Sequence, residues 1–458
     1  MNLSLILAKH IADTDYDDIP NHVVDITKKS FLDGLGVILA ASSLGEGCKQ
    51  FVNLAVAERG KEESTIIGFD AHKVSACMAA FANGSMSHAI DFEDTHDRAG
   101  SHPNAAAIPA ALAVAESIGN VNGKEFIAAL ALGSDIVCRL GLANKEDPIK
   151  YGWYMPPILG AFGAATATSK LLHLSPEQIL DTFSLTLCQA TCSAELVHSP
   201  RSVVRGVRDA FSAKAGVLSA LLAKDGVTGF DQPFEGQAGL FAMYSRGNYD
   251  PQPLTNGLGK VFEGAHVSFK PWPACRGTHS FIEATLQIVN EYKIKPSDIK
   301  GIKLIIDPAP ISRMLCEPIE RKRNPTTAID AKFSIPFTVA VALVYKGVML
   351  SHFTPEALLD HHVLEVTPRI TYEVNTNLGR GEGFIQIKTE QEEITSRNIE
   401  FVYGHPKNPI SQEALVAKFM DCAAYSAKNI SEKKLNKVVQ LILHLEDVKN
   451  IGEIVECL

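Results

Sequence analysis

The sequence predicts a mainly α-helical protein: a large all-helical domain built from both ends of the chain, with a smaller α+β lid domain inserted between them. Three observations carry this. From the start to Gly264 the chain is a succession of long, small-residue apolar segments of helical texture. Past Gly264 short β-rich runs appear, two of them alternating apolar and polar residues. After Gly404-His405-Pro406 the helical pattern returns. The predicted domains are therefore 1–266 together with 405–458, and 267–404.

The length of 458 residues suits two domains, and the 46% hydrophobic and 21% charged fractions are those of a globular chain with a full core. Val23–Ala41 is rich in Leu, Ile, Val, Ala and Gly. Gly34 and Gly36 within it point to close helix packing, because neither GxGxxG nor GxxxxGK is present. Val74–Ile90 and Asn104–Ile118 are Ala-dominated, and Gly123–Leu142 and Ile158–Leu172 repeat that style. Ser175-Pro176-Glu177-Gln178 reads as a helix start with a capping box. Arg208–Ala223 is a further long helix, closed by Asp225-Gly226.

In the insertion, Gly301–Asp307, Arg369–Val374, Gly383–Thr389 and Ile399–Tyr403 read as strands. Helices are expected at His279–Tyr292 and Pro336–Lys346, and, past the insertion, at Gln412–Ser426 and Glu432–Leu445.

A net charge of −9 disfavours nucleic acid and anionic membranes as partners. The N-terminus lacks a basic region and a cleavage site, and no unbroken apolar stretch reaches the ~18–20 residues of a membrane span. The nine cysteines are scattered without a CxxC. Free buried thiols, no structural zinc and a reducing cytoplasmic location are expected.

Four stretches hold groups suited to chemistry. The first is Ser87 to His102, which carries three His, four carboxylates and an Arg between two apolar segments. His88, Asp91 and Asp94 are three apart, so one helical turn would gather them. His and Asp in a partly buried pocket can act as general acid and base. They also suit a metal, but no paired ligand motif such as HExxH occurs, and no metal is expected.

The second stretch is Phe269–His279, where two prolines stiffen a loop bearing Lys270 and Arg276 that runs into a helix start with His279 in its first turn. Such an arrangement suits a carboxylate or phosphate, although a hinge with solvated charges reads equally well. The third is Tyr151-Gly152-Trp153-Tyr154-Met155-Pro156-Pro157, aromatic residues that either pack the domain or supply a hydroxyl acid. The fourth is the set Arg201, Arg205 and Arg208, three or four apart, a carboxylate clamp or a solvated face.

Together these segments resemble the MmgE/PrpD family, which includes 2-methylcitrate dehydratases, cis-aconitate decarboxylases and iminodisuccinate epimerases. The resemblance spans the whole chain. It rests on His88-Ala-Ile-Asp91-Phe-Glu-Asp94-Thr95, His102-Pro103, Gly160–Ala165, Lys270–His279, Ala331–Pro336 and Asn408–Ser411. It implies a homodimer, no cofactor and no metal, and a pocket between the domains for small di- or tricarboxylates. It also places Asp91, Thr95, His102 and His279 on active-site positions, with Lys270 close by.

Two positions depart. Tyr154 stands where the decarboxylases carry His, and Arg205 where they carry Lys. An Arg binds a carboxylate but does not give up a proton at ordinary pH. These departures weigh against cis-aconitate decarboxylation. The expected activity is a cofactor-independent dehydratase that removes a proton next to a carboxylate, with a dicarboxylate epimerase as the first alternative. Decarboxylation and a non-catalytic carboxylate-binding role follow. In this reading Arg205, Lys270 and Arg276 hold carboxylates, and Thr95 joins them in substrate binding. His102 or His279 is the base, Tyr154 the opposing acid, and Asp91 orients a His.

Overall fold

The computed structural model describes residues 2–70, 73–199, 202–379, 381–396 and 398–458. Arg201 lies outside the described residues. The protein is mainly helical with one small four-stranded sheet and a two-stranded one. The chain divides into two compact units, Met1–Phe269 with Ser411–Leu458, and Lys270–Ile410.

The first unit contains α1 (Leu3–Asp13), α2 (Asn21–Leu44), α3 (Cys48–Glu58), α4 (Ala76–Met86), α5 (Pro103–Ile118), α6 (Gly123–Ala143), α7 (Met155–Leu171) and α8 (Pro176–Leu187). The helix Asp209–Lys224 follows, and Gln412–Ala424 and Glu432–Leu443 come from the far end of the chain. A two-stranded sheet pairs β1 (Ser64–Thr65) with β2 (Lys73–Val74). At the centre of the unit, α7 packs on α5, α6 and Asp209–Lys224. The small residues that dominate these helices are what allow this. A Cβ on Gly216 would sit 2.5 Å from the backbone nitrogen of Ala165, so only glycine permits that crossing. Gly36 serves α2 in the same way against Phe419 of the helix Gln412–Ala424, where a Cβ would come within 3.2 Å of the ring.

Caps fix where the helices begin. Ser175 and Gln178 form both halves of a capping box at α8, and Asn122 and Glu125 do the same at α6. Helix α6 is 21 residues long and apolar enough by length and composition to cross a membrane, although Asp135 and Arg139 break its apolar run. Its residues are mostly buried inside the protein. It also carries an internal ion pair, Arg139 Nε to Asp135 Oδ2 at 2.6 Å.

In the second unit, strands β3 (Ile299–Ile306), β4 (Ile370–Val374), β5 (Gly383–Thr389) and β6 (Glu393–Thr395) form a sheet of order β4-β3-β5-β6. β3 pairs parallel with β4 and antiparallel with β5, and β5 pairs antiparallel with β6. Helices His279–Tyr292 and Ile335–Tyr345 share a core with the sheet. Phe281, Ile282 and Val339 enter it from the helices, and Ile302, Leu304 and Ile385 from the strands.

Three expectations do not hold. Ile399–Tyr403 is not a strand. Its backbone is drawn into a turn in which His405 N–H donates to Val402 O at 2.9 Å, while Tyr403 N–H donates to Glu283 Oε2 at 2.8 Å. Those bonds replace a ladder. The free cysteines are not all buried, since Cys188 is exposed at the C-cap of α8. The stretch from Ser87 to His102 holds no helical turn that gathers His88, Asp91 and Asp94. Helix α4 stops at Met86, and Asp91 takes a left-handed backbone, φ 52°.

Candidate active site

The irregular segment between α4 and α5 is held from both sides. Thr95 and Ser268 exchange backbone hydrogen bonds, Thr95 N–H to Ser268 O at 2.9 Å and Ser268 N–H to Thr95 O at 2.7 Å. His96 N–H donates to Ser101 O at 2.9 Å and closes the loop on itself. Lys418, from the helix Gln412–Ala424, donates to Phe92 O and pairs with Asp33 Oδ1, each at 2.6 Å. A backbone so pinned can keep Asp91 in a conformation that non-glycine residues seldom adopt.

This fold converges four side chains. Glu93 Oε1 contacts Nδ1 of His88 and lies 2.7 Å from Nδ1 of His102. The two rings meet edge to face, 4.6 Å between centroids. Asp91 Oδ1 lies 3.8 Å from Nε2 of His88. The carboxylate facing His102 is thus Glu93, and Asp91 approaches the other ring. His102 Nδ1 also lies 3.2 Å from Asp94 O, an atom that can only accept. Nδ1 therefore carries the proton, and in the neutral ring Nε2 holds the lone pair.

The electrostatics follow from burial. Desolvation, then the charge of Arg208, pushes His88 down to about 4, so it is neutral at pH 7. Desolvation, then Asp33, pushes Asp94 up to about 7, and its Oδ2 accepts from Asn104 Nδ2 at 2.6 Å. Thr95 is buried, and its hydroxyl donates to Ser101 O at 3.1 Å.

Tyr154 is the N-cap residue of α7, its N–H donating to Cys192 O at 3.0 Å. The guanidinium of Arg208 lies 5.1 Å from the centre of its ring. Burial works to depress Arg208, but Tyr154, Asp209, Cys192 and Glu93 outweigh it and hold the guanidinium above its ordinary pKa. Arg205 is nearly buried in the short helix Val204–Val207, and its carbonyl accepts from Arg208 Nη1.

The second unit holds the remaining candidates. Lys270 and His279 are buried, and Arg276 is partly buried at the turn that leads into the helix His279–Tyr292. His279 Nε2 lies 3.1 Å from Ala274 O and so carries a proton, and its ring meets Trp272 edge to face at 5.3 Å. The Ala331–Pro336 motif is structural here: Ser334 caps the helix Ile335–Tyr345 by accepting from Phe337 N–H at 3.0 Å.

Among the described residues, two groups have donor atoms close enough to hold a cation, each within 4.8 Å: His88, Asp91, Glu93 and His102, and His96, Glu263 and His266. In the first, both Nδ1 atoms serve Glu93, so a cation bound there would compete with those contacts. In the second, Ala99 N–H donates to His96 Nδ1 at 2.9 Å, so the neutral ring carries its proton on Nε2 and offers no lone pair there. Glu93 was not singled out by the sequence as a site residue, its only signal being its position among other charged residues, whereas Arg208 was read as one of three arginines that could clamp a carboxylate.

The MmgE/PrpD N-terminal domain matches residues 6–252, and the MmgE/PrpD C-terminal domain matches residues 272–444. The chain belongs to the MmgE/PrpD family. Among curated relatives, the cis-aconitate decarboxylase-like protein oryM of Aspergillus oryzae is 26% identical over 99% of this chain and 96% of its own. The cis-aconitate decarboxylase of Homo sapiens is 25% identical over 94% and 89%, and that of Aspergillus terreus 23% over 96% and 93%.

Proposed function

We propose that the protein is a cofactor-independent lyase acting on a small di- or tricarboxylate, by dehydration through removal of a proton next to a carboxylate. The observation that carries this reading is the tautomer of His102. With Nδ1–H directed at Glu93 and Asp94 O, Nε2 is the base, and the side chain is 17% exposed. A ring arranged this way accepts a proton. The carbanion-like state that follows needs cations, and Arg205, Lys270 and Arg276 are the residues that would hold the carboxylates. Tyr154 donates to the departing hydroxyl. His279 is the alternative base: with Nε2–H directed at Ala274 O, the neutral ring holds its lone pair on Nδ1.

A second reading is decarboxylation, which the names of the relatives favour. The two differ in what leaves. Purified protein is incubated with hydroxylated di- and tricarboxylates and with cis-aconitate, and unsaturated product and CO2 are both measured. Unsaturated product without CO2 supports dehydration. CO2 from cis-aconitate replaces it with the second reading, and neither product from any acid rejects both.

A further inference from the structure

Arg208 is 1% exposed, yet its Nε and Nη2 make no hydrogen bond among the described residues. Its Nη1 is bonded to Arg205 O, and Asp209 Oδ2 stands 3.7 Å from Nε, close enough to pair in charge but too far to accept. Nε and Nη2 form the side of a guanidinium that binds a carboxylate through two parallel bonds. A buried donor left unmade is costly, and a ligand carboxylate would satisfy both at once. Tyr154, beside the guanidinium at 5.1 Å, is the proposed acid.

We infer that Arg208 is a substrate-binding residue that receives one carboxylate of the ligand through Nε and Nη2 and sets the preference for a charged group at that position. This rests on the carboxylate reading above. A carboxylate bound there lies next to Tyr154 and so fixes which end of the substrate meets the acid.

The test compares binding of succinate and succinamate, which differ in one carboxylate, to wild type, Arg208→Met and Arg208→Lys by calorimetry. Wild type is expected to prefer succinate. Loss of a charged hydrogen bond is worth a fall of roughly 10–100-fold in succinate affinity, with succinamate affinity little changed. Arg208→Lys keeps the charge without the paired donors, and is expected to lose most of the preference even if Arg208→Met does not fold. An unaltered preference in the folded variants overturns the inference while leaving the carboxylate reading standing. If wild type binds neither acid and turns over none of the carboxylates above, the reading itself fails and the inference with it.

Discussion

His102 Nδ1 lies 2.7 Å from Glu93 Oε1, and the same oxygen contacts His88. One carboxylate thus sets two imidazole rings. When His102 takes a proton, the carboxylate balances the charge that appears on the ring. Glu93→Gln keeps the shape and removes the charge. It is expected to lower kcat by about 10–100-fold with little change in KM, the scale of losing a group that supports a reacting one. Steady-state kinetics with a matched melting temperature check this.

Tyr154→Phe removes only the hydroxyl. If Tyr154 is the acid for the leaving group, kcat falls by about 10²–10⁴-fold while substrate binding persists. The same variant assayed with a substrate whose leaving group needs no proton should recover most of the rate.

Asp94 titrates in the direction opposite to that of a paired carboxylate. Its folded pKa is raised to about 7 from 3.8, so the native state binds more protons than the unfolded one between those values. Its contribution is most favourable below pH 4 and is lost as pH rises to 7. His88, lowered from 6.5 to about 4, works the other way and favours folding as pH rises across that interval. Asp94→Asn is therefore expected to gain more melting temperature relative to wild type at pH 8 than at pH 5. Equal differences at the two pH values would contradict the assignment.

Metal independence is open to a direct check, because His88, Asp91, Glu93 and His102 could hold a cation. Turnover is expected to survive exhaustive chelation and dialysis. Loss on chelation with recovery on adding zinc or magnesium would instead place an ion on those four residues.

The helices were legible because small residues and caps are local signals. Ser175 with Gln178, and the run His279–Tyr292, are recovered in the structure as read. The segment Ser87–His102 was legible as a cluster of ionisable groups but not as a geometry. Its shape depends on Ser268 and Lys418, remote in sequence, and on the left-handed Asp91. A helical spacing rule cannot see those ties, which is why it pointed to Asp91 as the partner of a His and passed over Glu93. Ile399–Tyr403 failed for a similar reason: the residues alternate like a strand, but a turn and the Glu283 side chain take their backbone bonds.

Nε2 of His102 is the atom proposed to remove the proton. Its most direct test is turnover of His102→Gln against wild type over a panel of hydroxylated di- and tricarboxylates, with fold confirmed by circular dichroism. Unsaturated product is expected from wild type, with a loss of at least about 10²-fold in the variant. Wild-type turnover by His102→Gln would contradict it.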